Sequence, residues 1–213
     1  MAWNSPIAPA RVLRVVELAA MPTGASALDV GCGDGDFLAE LANVGLSVTG
    51  IDRDEKAIAL AAKLVPAADV RAEDATVADL PKADLVSCIG STHIFGSGLD
   101  ALTGCCRALA GQVKPGGALL LGEGYHDKSL PAEYATFLGT PTGIERTHHQ
   151  NVLDAEAASG MRCEHAITAT RDEWDEFEWS FFRQFGRQDW RDAWLAWGRD
   201  VMGFGLYLLR PRS

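Results

Sequence analysis

Residues whose types and spacing can do chemistry are concentrated between positions 29 and 126. Gly31, Gly33 and Gly35 alternate with Cys32 and Asp34 in the run Asp29-Val30-Gly31-Cys32-Gly33-Asp34-Gly35-Asp36-Phe37. Glycine takes positive φ and puts no side chain between the main chain and a ligand, and free N–H groups opening a following helix favour negatively polarised groups. Asp52 closes the apolar run Leu46–Ile51, 17 residues beyond Gly35. That is near the distance at which a nucleotide-binding α/β unit sets a carboxylate on ribose hydroxyls. A carboxylate can accept both bonds of a vicinal diol; the alternative is a helix N-cap, which Asp54 supplies equally well. His93, in a polar glycine-rich loop, is of the residue type that can serve as a general base or orient a ligand. Glu123 can accept from a hydroxyl or an ammonium group, or bond the loop after it, and Tyr125 and His126 follow it closely.

The elements that must position these residues can be read from periodicity. Apolar runs at 27–30, 46–52, 68–72, 83–90 and 118–121 are expected strands, with helices at 9–20, 37–43, 55–64 and 99–109 between and before them. The run 83–90 is almost continuously apolar, as a buried parallel strand is. Downstream, 151–159 reads as a helix, 163–171 as a sixth strand and 201–209 as a seventh. The connection 172–200 carries Trp174, Phe177, Phe181 and Phe185, then Trp190, Trp194 and Trp197, at helical spacing. Most of these rings should pack the helix on the sheet, and the rest can wall a substrate pocket. Trp3 in the N-terminal tail could fold over a ligand, although a terminal Trp more often packs on the surface.

Composition bounds the partners. The net charge of −10, from 29 acidic and 19 basic residues, lacks the basic stripe that nucleic acid requires. No apolar run approaches the length that spans a bilayer, and no secretory signal pattern opens the chain, so a cytoplasmic location is expected. Five cysteines without C-x-x-C spacing argue against a disulfide scaffold or a metal site. His148 and His149 are adjacent and would diverge on a helix.

The glycines do not fit the dinucleotide pattern G-x-G-x-x-G, because the third glycine falls at 35 and Asp occupies 36. The run D-x-G-x-G-x-G instead resembles motif I of the class I S-adenosylmethionine (SAM) dependent methyltransferases. Asp52, Glu73-Asp74-Ala75, the polar loop 91–98 and Lys114-Pro115-Gly116-Gly117 follow in that family's order, so the resemblance spans roughly 27–122. It implies cofactor contacts from Asp29, Gly31, Cys32, Gly33, Gly35, Asp52, Arg53, Asp74, Ala75, Ile89 and Gly90. Within that set Asp29 faces the methionine amino group or braces the loop, and Asp74 accepts from the adenine amino group while the next N–H meets the ring. A turn-forming role is the alternative for Asp74. The segments Cys88-Ile89-Gly90, Gly122-Glu123-Gly124-Tyr125-His126 and Trp174-Asp175-Glu176-Phe177-Glu178 also resemble those of a group of bacterial methyltransferase-like proteins, with departures at Gly124, His126 and Phe177.

The expectation is therefore a single α/β domain over 1–213 with a Rossmann-like, seven-stranded, mostly parallel sheet, its last strand antiparallel and helices on both faces. An N-terminal helix within 1–24 would cover the site, with 125–150 and 172–200 as lid segments. The activity implied is methyl transfer from SAM, leaving S-adenosylhomocysteine (SAH), to a small-molecule acceptor, with His93, Glu123 and Tyr125 as the catalytic candidates and no metal. The protein would act as a monomer or homodimer, away from nucleic acid and membrane. A SAM-binding protein without transferase activity and a methyltransferase acting on a macromolecule are the rival readings. A nicotinamide dehydrogenase fits the loop spacing and Asp74 poorly.

Overall fold

The computed structural model describes residues 4–140 and 146–212; Trp3 lies outside them. Seven strands form one sheet in the order β3-β2-β1-β4-β5-β7-β6: β1 Ser26–Val30, β2 Ser47–Asp52, β3 Asp69–Ala72, β4 Ala83–Ile89, β5 Val113–His126, β6 Met161–Thr168 and β7 Met202–Pro211. Strands β1 to β5 pair in parallel, and β7 runs antiparallel between β5 and β6. The expected sheet and its reversed last strand are present.

Alternation along the strands sends side chains to two cores. Leu85, Leu120 and Leu206 face α1 Pro9–Leu18 and α2 Asp36–Asn43 on one side, with Ile58 of α3 Glu55–Leu64 and Trp174 of α7 Arg171–Phe185. On the other face Leu28, Val86, Leu119 and Tyr207 meet Leu102 and Cys106 of α4 Asp100–Ala110 and Ala155 of α6 His148–Ser159. Burying a strand on both faces stabilises it by about 1.5–3 kcal/mol per large apolar side chain, which is why most of β4, and β5 over 118–121, read as apolar runs.

Three boundaries differ from expectation. Lys114-Pro115-Gly116-Gly117 is not a separate turn but the irregular start of β5, where Val113 pairs with Ala83 before the register shifts to Leu85 with Ala118. Gly117 permits it, since a Cβ there would stand 2.5 Å from the Asp84 carbonyl oxygen. Strand β5 also runs on to His126, so Tyr125 and His126 belong to the sheet and not to a lid. The sixth strand ends at Thr168, because Thr170 and Glu173 form a capping box that starts α7 at Arg171. The aromatic connection then breaks into α7, α8 Gln188–Ala193, a π turn Trp194–Gly198 and the short α9 Arg199–Val201, with α5 Ala132–Leu138 packed beside it through Tyr134 and Trp197.

Candidate active site

The glycine loop hangs between two strands. Gly31 and Cys32 donate their N–H groups to the Ile51 carbonyl at 2.7 and 3.2 Å, and Gly33 donates to Asp52 Oδ2 at 3.0 Å. Gly35, at φ +92°, is the N-cap of α2, and a Cβ on it would lie 2.9 Å from the Ala61 backbone. A Cβ on Gly31 would collide with Ser91 at 2.3 Å, whereas one on Gly33 would meet nothing within 4 Å. The first and third glycines close the loop on its neighbours; the middle one leaves open space.

Sheet order sets the acids in a row. Asp74, after β3, lies beside Asp52 at the end of β2, then the loop after β1, then Ile89 and Gly90 at the end of β4. Asp54 caps α3 by accepting from Lys56 and Ala57 at 2.8 and 3.4 Å. The N-cap role is thus filled, and among the described residues the Asp52 carboxylate accepts from the Gly33 and Asp54 main chain. Asp74 is exposed and accepts from the N–H and hydroxyl of Thr76 through Oδ1, bonds that hold its carboxyl below the usual range. That is a turn-forming aspartate, with its second oxygen left for other donors.

A cleft of about 270 Å³ lies over the ends of β1 and β4, with Asp29, Gly31, Cys32, Gly33, Ile89 and Gly90 in its walls. Its cover comes from residues 4–6 and from Trp174, Phe177 and Phe204. Asp29 is buried and accepts from Ser87 Oγ at 2.7 Å; burial lifts its carboxyl to about 7, against the lowering by Ser87, with the Asp52 charge adding to the rise. Burial, then the Asp29 and Asp52 charges, hold the Cys32 thiol protonated. Asp36, the first residue of α2, also lines the cleft. Among the described residues its buried Oδ2 has no hydrogen-bond partner, and burial followed by the Asp34 charge raises its carboxyl.

His93, Glu123 and Tyr125 do not line the cleft. His93 is exposed on the 3-10 turn Thr92–Phe95, pointing no nitrogen at a described partner. Glu123 accepts from Thr92 Oγ1 and, at 2.9 Å, from its own Gly124 N–H, so it bonds the loop that follows. Tyr125 is buried against Gly203, where a Cβ would stand 2.2 Å from its ring, and burial raises its phenol. The segment 125–150 contributes no described residue to the cleft. Its Arg146, buried, instead binds Asn151 and the carbonyls of Gly98 and Leu99, and Asn151 binds Tyr207. Of the two expected lid segments, 172–200 is the one that lines the cleft, through Trp174 and Phe177 of α7.

Sequence reasoning passed over Asp36, Phe204 and residues 4–6 as cleft residues. Asp36 had a readable signal: an acid directly after the third glycine, where the helix opens. Phe204 had none, since it differs from any other apolar residue of β7 only in where the sheet ends.

A doubly wound sheet with an acid-tipped second strand and a glycine loop beside a partly enclosed cleft defines a nucleotide-binding α/β protein of the methyltransferase type. A family model for the methyltransferase domain matches residues 28–121. The chain is 32% identical, over 174 aligned positions covering 70% of it and 73% of the relative, to a ubiquinone biosynthesis O-methyltransferase of Thiobacillus denitrificans. In fold it is similar to a SAM-dependent methyltransferase of Thiobacillus denitrificans crystallised with SAH, at a TM-score of 0.80 and 23% identity over 99% of this chain and 94% of that one. It is equally similar to YjhP of Escherichia coli, at a TM-score of 0.81 and 24% identity over 99% and 95%. The chain belongs to the class I SAM-dependent methyltransferases, and SAM is its cofactor.

Proposed function

We propose that this chain transfers the methyl group of SAM to a small-molecule acceptor held in the covered cleft. The observation that carries the reading is the row formed by Asp74, Asp52, the glycine loop and Ile89–Gly90 along one edge of the sheet, ending at that cleft. The residues fit the cofactor: the open space at Gly33 admits a ligand against the main chain, and Asp52 retains lone pairs for a ribose diol beyond its two main-chain bonds. Asp74 and the Ala75 N–H would take the adenine edge with Arg53 nearby, Ile89 and Gly90 the methionine backbone, and Asp29 its ammonium.

When bound, the cofactor supplies an electrophilic methyl on a sulfonium, so the protein has chiefly to position and desolvate. Trp174, Phe177 and Phe204 exclude water above the cleft, and the loop holds the ligand from below. A cleft of this size under a lid, in a chain of net charge −10, supports a small acceptor in place of a nucleic acid.

Titration calorimetry with SAH, with NAD as control ligand and Asp52→Ala as control protein, tests the site, and label transfer from methyl-labelled SAM into pools of small molecules tests the reaction. SAH binding lost in the variant, with label entering a small molecule, is expected. NAD binding in its place, or label entering only protein or nucleic acid, overturns the reading.

A further inference from the structure

The walls of the cleft are chemically one-sided. Among the described residues that line it there is no Lys, Arg or His, and there are three carboxylates, Asp29, Asp34 and Asp36. SAM in its ordinary ionic form carries an ammonium, a sulfonium and a carboxylate, a net charge of one. Three carboxylates around a ligand of single positive charge leave negative charge in a partly enclosed space, where water screens it poorly. An anionic acceptor would add to that charge and find no cationic side chain among the described lining residues.

The carboxylates are not equivalent. Asp29 already accepts from Ser87, whereas Asp36 Oδ2 is buried with no hydrogen-bond donor among the described residues. A buried acceptor without a donor is destabilising, the more so when it is charged, and a ligand that brings a donor there relieves that cost. The same cleft is lined by Trp174, Phe177 and Phe204, rings that take an apolar body and are attracted to cations.

We propose that the acceptor is a small amine with an apolar body, received as its ammonium by Asp36, which also takes the proton that the nitrogen must shed. The inference rests on the reading of small-molecule transfer above and names the substrate class of that site. The balance is simple: an N–H proton passes to the Asp36 carboxylate, the freed lone pair forms the N–CH3 bond, and the electrons of the breaking C–S bond stay on sulfur. The products are the N-methylated amine and SAH, and Asp36 returns its proton to solvent.

Three probes share one ring and differ in head group: phenethylamine, 2-phenylethanol and 3-phenylpropionate. Calorimetry on the SAH-saturated protein should find the amine bound at least about tenfold more tightly than either of the others. Asp36→Asn should weaken the amine by about tenfold or more, a larger loss than the same variant shows for SAH, and methyl label from SAM should enter phenethylamine in the unaltered enzyme. An alcohol or carboxylate bound as well as the amine, an amine that does not bind, or an Asp36→Asn variant with unchanged amine affinity overturns the inference while SAH binding leaves the cofactor site standing. Failure of SAH itself to bind overturns both. If Asp36→Asn does not fold, the head-group comparison in the unaltered protein decides alone.

Discussion

Gly33 donates its main-chain N–H to Asp52 across 3.0 Å, joining the middle of the glycine loop to the tip of the neighbouring strand. One carboxylate therefore both shapes the loop and presents its free lone pairs beside it. Asp52→Ala removes both roles and should lower SAH affinity by about 30-fold or more, roughly 2 kcal/mol. Asp52→Asn keeps one acceptor oxygen for Gly33 and should lose only about tenfold. Calorimetry on the two variants separates loop support from ligand contact; equal losses would mean that the charge matters and the loop bond does not.

The loop glycines should fail in different ways. Gly35→Ala forces a side chain onto φ +92° and against Ala61 at 2.9 Å, combining left-handed strain with overpacking, for about 2–4 kcal/mol of lost stability. Gly33→Ala has φ +54° and open space, so it should cost only about 1–2 kcal/mol yet cut SAH affinity by about tenfold or more, because the new methyl stands where the ligand must lie. Thermal melts and calorimetry on the pair give the opposite ranking for stability and for binding.

The sheet was legible because parallel strands buried on both faces must be apolar throughout, as 83–90 is, and because the glycines and acids after β1, β2 and β3 sit at distances the topology fixes. The catalytic candidates were less legible. His93, Glu123 and Tyr125 have suitable chemistry and stand near strand ends, but side-chain direction alternates along a strand, and no sequence pattern says which way the side chains of 123–126 face. The structure turns Tyr125 onto Gly203 and ties Glu123 to Thr92. The cover from α7 was half legible: the aromatic spacing marked a helix, but only the capping box at Thr170 and Glu173 fixes where it begins and so which rings reach the cleft.

Asp29 makes stability depend on pH. Its carboxyl rises from 3.8 to about 7 in the folded protein, chiefly through burial. A group whose folded pKa is raised contributes stability that is present below 3.8 and lost as pH climbs through about 7, because only the folded state resists its ionisation. At pH 8 that resistance amounts to at most about 4 kcal/mol. Asp29→Asn should therefore unfold at higher denaturant than the unaltered protein at pH 8, by about 1–3 kcal/mol, with the advantage shrinking toward pH 5. The same variant should bind SAH more weakly at pH 8. Urea titrations at the two pH values check the first effect; an equal difference at both would mean that Asp29 does not titrate between them.

Glu178 holds the cover of the cleft together from behind. It is 7% exposed and accepts from the indole N–H of Trp174 at 3.2 Å and of Trp190 at 2.7 Å, bridging α7 to α8. Trp174 in turn stacks on Trp194, whose N–H is taken by Asp175. Removing the carboxylate leaves two indole donors without a partner, which costs about 1–3 kcal/mol for each that stays buried. Because Trp174 lines the cleft while Trp190 does not, Glu178→Ala should loosen the cover before it unfolds the sheet. The expected signature is a red-shifted tryptophan emission at temperatures where the far-ultraviolet dichroism is unchanged, together with about a three- to tenfold loss of SAH affinity. Glu178→Gln, which keeps one acceptor for one indole, should fall between the two. If Glu178→Ala shifts neither emission nor affinity, the indole bonds do not hold Trp174 over the site, and the stacking on Trp194 and Phe204 is sufficient.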